Sequence, residues 1–261
     1  MSAPLLFTVA GSVATLTLNR PDVGNVIDMA LADSILQAAI RCDLDPTIRC
    51  VVLTGSGKLF CGGGDLGAFA ASGDDIPAFL SELAGTLHMA VSRLMRMKKP
   101  LLVLVNGAAA GAGFSLAIAG DLVLAARSAH FTAAYGNVGL SPDGGLSWHL
   151  PRLVGLRRAQ EIILTNNRVS AADAESIGLV TRMVEDADLP AEGAELARKL
   201  AGAATGAVGA MRALLLETYG ATLETQLERE TRSIAGMAAG ADCREGVAAF
   251  RERRKPEFKG V

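Results

Sequence analysis

The sequence predicts an α/β fold: a mixed core of strands and helices, followed by a helical C-terminal region. Three observations carry this. Leu101–Val105 is an unbroken apolar run of strand length, the pattern of a strand buried on both faces. Two separate segments repeat one grammar, in which an apolar strand leads into a glycine-rich turn and then a helix. From Leu189 to Phe250 the spacing is helical throughout, with charged residues distributed along amphipathic segments. The core is therefore assigned to residues 1–188 and the helical region to 189–261, with no low-complexity linker between them.

The elements follow in order. Phe7–Asn19 reads as a hairpin, with alternation in Val13–Leu18, a turn at Gly11-Ser12, and a break at Arg20-Pro21. Met29–Arg41 has its apolar residues Leu31, Ile35, Leu36, Ala39 and Ile40 at helical spacing, and Asp28 precedes it as an N-cap. Cys50–Leu53 is a short buried strand feeding the loop Gly55–Gly64. Ile76–Met97 is a long amphipathic helix stopped before Pro100. After Leu101–Val105 come the loop Asn106–Gly113, a helix from about Ala112 to Gly120, and strands at Asp121–Ala126 and Ala129–Thr132. Helices are expected at Gly145–Leu153 and Leu156–Leu164. Ser170 with Asp173 resembles a capping box and opens another helix, ended by Gly178. Val180–Val184 is the last strand of the core. No repeat is apparent at the level of the sequence.

Composition narrows the function classes. With half its 261 residues hydrophobic and 25 basic against 27 acidic residues, the chain can bury a substantial core and is not a disordered segment. A net charge of −2 gives no reason to expect nucleic acid as a partner, so an anionic ligand would have to be met locally. Cys42, Cys50, Cys61 and Cys243 form no C-x-x-C pair, and with only His88, His130 and His149 available no metal is expected. No charged-then-apolar leader opens the chain and no apolar run reaches membrane-spanning length. A reducing cytoplasm, with no membrane partner, is the expected setting.

The chemistry concentrates in the two glycine loops. The first runs from Val51-Val52-Leu53-Thr54-Gly55 to Phe60-Cys61-Gly62-Gly63-Gly64-Asp65-Leu66, the second from Leu101–Val105 through Asn106-Gly107-Ala108-Ala109-Ala110-Gly111-Ala112-Gly113. Small residues let a ligand approach the backbone, and free N–H groups at a helix start carry partial positive charge. Two such loops meeting at one point can hold an oxyanion between two donors. Glycines also serve tight turns and close packing, so each loop alone is open to that plainer reading. The phosphate-binding G-x-x-x-x-G-K-[ST] is absent, and the first loop lacks dinucleotide-fold spacing.

Phe60–Leu66 (FCGGGDL) and Val105–Gly113 (VNGAAAGAG) resemble the two signatures of the crotonase superfamily, the enoyl-CoA hydratases and isomerases. Further matches occur in the family's order: Leu18-Asn19-Arg20-Pro21, Gly120-Asp121-Leu122, Gly139–Gly145, Leu150-Pro151-Arg152, Ile177-Gly178-Leu179-Val180 and Glu245–Gly260. Each is weak alone; the ordered set spans nearly the whole chain. The resemblance implies a crotonase-like spiral of strand–strand–helix turns with a C-terminal helical oligomerisation region, forming trimers or dimers of trimers. It implies an acyl-CoA thioester substrate, with coenzyme A as part of the substrate and no separate cofactor. By position, the oxyanion donors are the N–H groups of Gly64 and Ala112. The family's middle glycine is alanine at Ala112, which keeps the N–H.

The sequence departs from the hydratases. Water addition needs two carboxylates, one as base and one supplying a proton. The two family positions are occupied here by Ser115 and Tyr135. Ser115 is then a small helix residue or a pocket-lining one, and Tyr135 either fills space or offers a hydroxyl to the substrate. One acid remains, Asp143 in Ser141-Pro142-Asp143-Gly144-Gly145. It matches the place where the phenylacetate-pathway ring-epoxide isomerase and related Δ3,Δ2-enoyl-CoA isomerases carry an acid. Asp143 either shuttles a proton or caps the helix that follows. Asp65 is expected to cap the helix after the first loop. His88 lies on an amphipathic helix, where some relatives acting on aromatic thioesters use a histidine. Trp148 and Phe131 are expected in the core. The resemblance places coenzyme A against backbone around Val26, Gly62 and Gly64, with Arg20 as a candidate phosphate contact and Phe258 and Lys259 reaching the adenosine end, in some members from a neighbouring subunit.

Three functions follow from this reading. The first is an enoyl-CoA isomerase using Asp143. The second is a hydratase of fatty-acid or aromatic-acid degradation with unconventional hydration. The third is a catalytically silent acyl-CoA-binding or RNA-binding scaffold. Intact glycine loops argue against silence, and the low basic charge against RNA.

Overall fold

A computed structural model of the chain describes residues 3–260. Its main sheet has six strands: β1 (Leu5–Ala10), β2 (Val13–Leu18), β3 (Cys50–Gly55), β4 (Leu101–Val105), β6 (Leu122–Ala126) and β9 (Arg182–Val184). They lie side by side in that order; β1 pairs antiparallel with β2 and every later pairing is parallel. A smaller sheet holds β5 (Ala108–Ala110), β7 (His130–Thr132) and β8 (Val169–Ser170). Successive strands in the middle of the larger sheet thus hand the chain toward the smaller one and then to a helix. β4, β5 and α4 (Ala112–Ala117) form one such turn. β3, the Cys61 bridge to Ala109, α2 (Leu66–Ala71) and α3 (Ile76–Arg96) form another. This is the spiral expected above.

The hydrophobic pattern explains the layers. All five residues of β4 are buried, as a continuous apolar run in a parallel sheet requires. α1 (Met29–Leu44) buries Leu31, Ile35, Ala38 and Ala39 and packs along α3. Its N-terminus is capped by Asp28, which accepts from Leu31 N–H at 2.8 Å. Its C-terminal carbonyls are met by Lys99 Nζ, which donates to Cys42 O (2.7 Å), Asp43 O (2.5 Å) and Asp45 O (3.1 Å).

α5 (Leu146–Val154) and α6 (Leu156–Thr165) follow the second turn, and α7 (Ala171–Ser176) starts at Ser170, whose hydroxyl accepts from Asp173 N–H. The C-terminal region comprises α8 (Leu189–Ala201), α9 (Thr205–Glu217), α10 (Leu223–Ala238) and α11 (Ala241–Glu252). α8 lies on the main sheet, with Gly193 against Leu104. α9 is anchored by buried Arg212, which donates to Met97 O, Lys99 O (2.7 Å) and Leu94 O (3.0 Å) and pairs with Asp121. Among the described residues, no single helix is long and apolar enough to cross a membrane.

Three differences from the sequence reading have physical causes. Asp121 was expected in a strand, but its carboxylate accepts from Leu101 N–H and pairs with Arg212, so β6 begins one residue later. The final strand is shortened to three residues because Leu179 and Val180 are buried in the turn after α7. Trp148 is not a core residue: it is 37% exposed, with the Arg152 guanidinium 4.0 Å above its ring. Phe131 is fully buried against Phe114, as expected.

Candidate active site

The two glycine loops are bound to each other. Phe60 N–H and Cys61 N–H both donate to Ala108 O at 3.1 Å, and Ala110 N–H donates to Cys61 O at 2.9 Å. Approach this close explains one glycine directly, because a Cβ on Gly113 would collide with the Cys61 carbonyl. Asn25 secures the first loop from behind. Fully buried and left-handed (φ 56°), it donates to Ser56 O (2.9 Å), Leu59 O (2.9 Å) and Phe60 O (3.1 Å). Sequence reasoning missed Asn25; its one signal was a Gly-Asn pair after Arg20-Pro21, a combination that favours left-handed turns.

Gly64 and Ala112 both line one cavity of about 430 Å³. Neither N–H donates a hydrogen bond to an acceptor among the described residues. For Ala112 this follows from its place as the first residue of α4, where an amide has no carbonyl four residues back within the helix. Phe69, Leu80, Leu83, Leu87, Val138 and Leu140 make the cavity wall apolar. Among the described residues, Asp143 is its one carboxylate, and no Lys, Arg or His lines it.

Asp143 does not cap α5. The cap position is Gly145, which makes no side-chain bond, and the Asp143 carboxylate turns elsewhere. The Tyr135 hydroxyl donates to Asp143 Oδ1 at 2.6 Å. Ser115 Oγ, fully buried, donates to Asp143 O at 2.9 Å and lies 3.1 Å from the Tyr135 hydroxyl. Ser115 approaches so closely that a Cβ on Gly144 would come within 2.8 Å of Ser115 Cβ, and Gly144 is left-handed (φ 60°) as well. Burial and the neighbouring Asp143 carboxylate both push the Tyr135 phenol above its ordinary pKa, so it remains a protonated donor.

His88, on α3, stands behind this group. Its Nε2 accepts from Gly144 N–H at 2.9 Å and lies 3.7 Å from Asp143 Oδ2. A nitrogen that accepts an N–H carries no proton, so the contact with Asp143 is not an ion pair in this arrangement. On its other side the imidazole borders a second cavity of about 450 Å³, shared with Met95, Trp148 and His149.

The remaining residues named from the sequence divide in two. Gly62 lines the cavity, with the Val26 side chain directly behind it. Asp65 caps α2 as expected, accepting from Gly67 N–H (3.0 Å) and Ala68 N–H (3.2 Å). Arg20, Phe258 and Lys259 do not line the cavity. The Arg20 guanidinium donates to Val26 O (2.6 Å) and pairs with Asp28 (3.1 Å) and Asp65 (3.3 Å), which ties the segment before α1 to the first glycine loop. The C-terminal tail is bound to its own chain: Arg49 donates to Phe258 O at 2.8 Å, and Lys259 N–H to Asp242 Oδ1 at 2.7 Å.

Two unengaged amide donors facing an apolar cavity with a single carboxylate form a site for a carbonyl compound whose oxygen gains charge as a neighbouring C–H is ionised. An arrangement of that kind suits the class of enzymes that stabilise an enolate. The chain belongs to the enoyl-CoA hydratase/isomerase family, whose model matches residues 8–261. It is 39% identical to a 1,2-epoxyphenylacetyl-CoA isomerase from Escherichia coli (strain K12), over 98% of each chain. A probable enoyl-CoA hydratase from Rhodobacter capsulatus is 38% identical over 97% of each chain. Among solved structures, an enoyl-CoA hydratase from Polaromonas sp. JS666 superposes with a TM-score of 0.93 at 34% identity, covering 97% of this chain and 99% of that one. Members of this family act on acyl-CoA thioesters.

Proposed function

We propose that the chain isomerises an acyl-CoA thioester, with Asp143 as the single acid/base and the N–H groups of Gly64 and Ala112 as the oxyanion hole. One observation carries the reading: among the described residues Asp143 is the only carboxylate lining the cavity, and the residues at both hydratase carboxylate positions, Ser115 and Tyr135, hydrogen-bond to Asp143. One carboxylate suffices for double-bond migration. It takes the proton from the carbon next to the thioester, the two N–H groups hold the resulting dienolate oxygen, and it returns the same proton two carbons along. Water addition would need a second carboxylate to share the work. The apolar, cation-free wall suits an uncharged acyl group, aliphatic or aromatic. Similarity to a protein named as an isomerase supports the same direction.

A second reading has one observation in its favour. A carboxylate with an imidazole 3.7 Å away is also a nucleophile and base pair, which would suit displacement on an aromatic thioester. His88 Nε2 is already engaged by Gly144 N–H, which favours isomerisation.

The deciding experiment offers the protein a 3-enoyl-CoA, the corresponding 2-enoyl-CoA and a 4-halobenzoyl-CoA side by side. The proposal expects double-bond migration to outrun water addition, with no halide release. Faster hydration would overturn it in favour of the hydratase reading, and halide release in favour of the nucleophilic one.

A further inference from the structure

We infer that Tyr135 is a positioning residue, which holds Asp143 by Oδ1 and leaves Oδ2 as the oxygen that carries the proton. This deepens the proposed function and rests on Asp143 being the acid/base. Asp143 Oδ1 is taken by the Tyr135 hydroxyl at 2.6 Å, a short charge-assisted bond. Asp143 Oδ2 accepts no hydrogen bond from any described residue. His88 Nε2 lies 3.7 Å from it, and the lone pair of that nitrogen already accepts Gly144 N–H at 2.9 Å. The two carboxylate oxygens are therefore unequal before any substrate arrives.

The backbone that carries Asp143 is held as well. Ser115 Oγ donates to its carbonyl at 2.9 Å, and His88 fixes the next peptide through Gly144 N–H. With its backbone and Oδ1 both bound, the carboxylate can rotate little. A carboxylate that must remove a proton at one carbon and deliver it two carbons along gains from one fixed, unengaged oxygen facing both positions. In that step the proton leaves carbon for Oδ2, the C–H pair becomes the dienolate, and the Oδ2–H pair returns to the carboxylate when the proton reaches the second carbon. No other reactant is consumed.

The phenol is suited to this task and to little else. Its one hydrogen is directed at Asp143, and burial with the adjacent carboxylate keeps it protonated. It would not release a proton to substrate at neutral pH, nor is its hydrogen free to bind the acyl group. Tyr135 thus acts through Asp143 rather than on the thioester.

The test is a double-mutant cycle of Tyr135→Phe and Asp143→Asn, read as kcat and KM for 3-enoyl-CoA isomerisation. Tyr135→Phe keeps the ring and should lower kcat by up to about 10²-fold while KM changes little. In an Asp143→Asn background the same substitution should have almost no further effect, because the group it positions is gone. Equal losses in both backgrounds, or an unchanged kcat in Tyr135→Phe, would overturn the inference. If Asp143→Asn itself kept full activity, the proposed function would fail, a result separable from failure of the positioning role alone. Tyr135 and Tyr219 are the only tyrosines. Should Tyr135→Phe not fold, 3-fluorotyrosine incorporated in a Tyr219→Phe background alters the donor strength of the same hydroxyl. It should change kcat with KM held, and an unchanged kcat there overturns the inference as well.

Discussion

The Ser115 hydroxyl lies 3.1 Å from the Tyr135 hydroxyl, although twenty positions separate the two residues in the chain. These are the two positions where the hydratase pattern calls for carboxylates. Here they meet each other and Asp143 instead. Two carboxylates at this separation would repel each other and the Asp143 carboxylate unless one held a proton. The Tyr135 hydroxyl instead donates to the Asp143 carboxylate and the Ser115 hydroxyl to the Asp143 backbone carbonyl, so the exchange of residue types changes the electrostatics of the site and not only its inventory.

The first prediction is that Asp143→Asn sharply slows isomerisation without unfolding the protein. Asparagine keeps the shape and still accepts from Tyr135, but it cannot take up a proton at neutral pH. General acid–base loss predicts a fall of roughly 10²–10⁴ in kcat, with thioester binding largely kept. Steady-state kinetics with a 3-enoyl-CoA, alongside a binding titration, reads both quantities. Retained kcat would assign the proton transfer to another group.

The second concerns Ala112. It is the first residue of α4, a position where proline is tolerated in helices, and the preceding Gly111 relaxes the restriction proline places on its neighbour. Ala112→Pro therefore removes one N–H with little demand on the backbone. Loss of a single oxyanion donor should cost about 10²–10³ in kcat. Circular dichroism must show a native spectrum for the result to count, and a folded variant with wild-type turnover would place the thioester oxygen elsewhere.

Much of the fold was legible because its central strands are buried on both faces. Leu101–Val105 announces itself as an apolar run, and the structure keeps those bounds. β5 was not legible, since Ala108-Ala109-Ala110 has no β-preference of its own and becomes a strand through pairing with His130–Thr132 and Cys61. The spiral repeat was hidden for the same reason: it is written in backbone pairing, and its turns share no residues. In the site, Gly64, Ala112 and Asp143 were found by their motifs and do line one cavity. The role of Tyr135 was not readable, because the seven residues between it and Asp143 pass through left-handed Gly139 before the carboxylate returns to the phenol. The partners of Arg20 were not readable either: the resemblance offers it as a phosphate contact, while its pairs with Asp28 and Asp65 depend on a fold that brings residue 65 back beside residue 20.

The third prediction is assembly. The C-terminal helices leave Leu215 72%, Leu223 68%, Ile234 73% and Phe250 85% exposed, a concentration of large apolar side chains on the region the family resemblance associates with trimers. Copies of this chain are the expected cover. Light scattering at micromolar concentration should give a trimer or a multiple of it, and a stable monomer would refute the assignment. Replacing Phe250 and Leu215 with serine should shift the equilibrium toward smaller species.

The fourth is an acid limit on stability set by His149. Its side chain is buried beside Trp148, with Nε2 3.2 Å from Met95 Sδ. Burial, assisted by the Arg152 charge, lowers its pKa from 6.5 to about 4. The unfolded chain therefore binds a proton on this residue at higher pH than the folded one does. Between those two values the unfolded state holds more protons, so stability rises with pH across that window. The contribution is fully present above pH 6.5, falls as the pH drops, and levels off below 4. A shift of this size corresponds to something on the order of 3 kcal/mol. Urea unfolding at a series of pH values should show that decline, and His149→Gln, which has no proton to gain, should flatten it. The variant will start from a lower stability at pH 7 through altered packing, so the slope and not the midpoint is the quantity to compare. Equal slopes in the two proteins would assign the acid sensitivity to other groups.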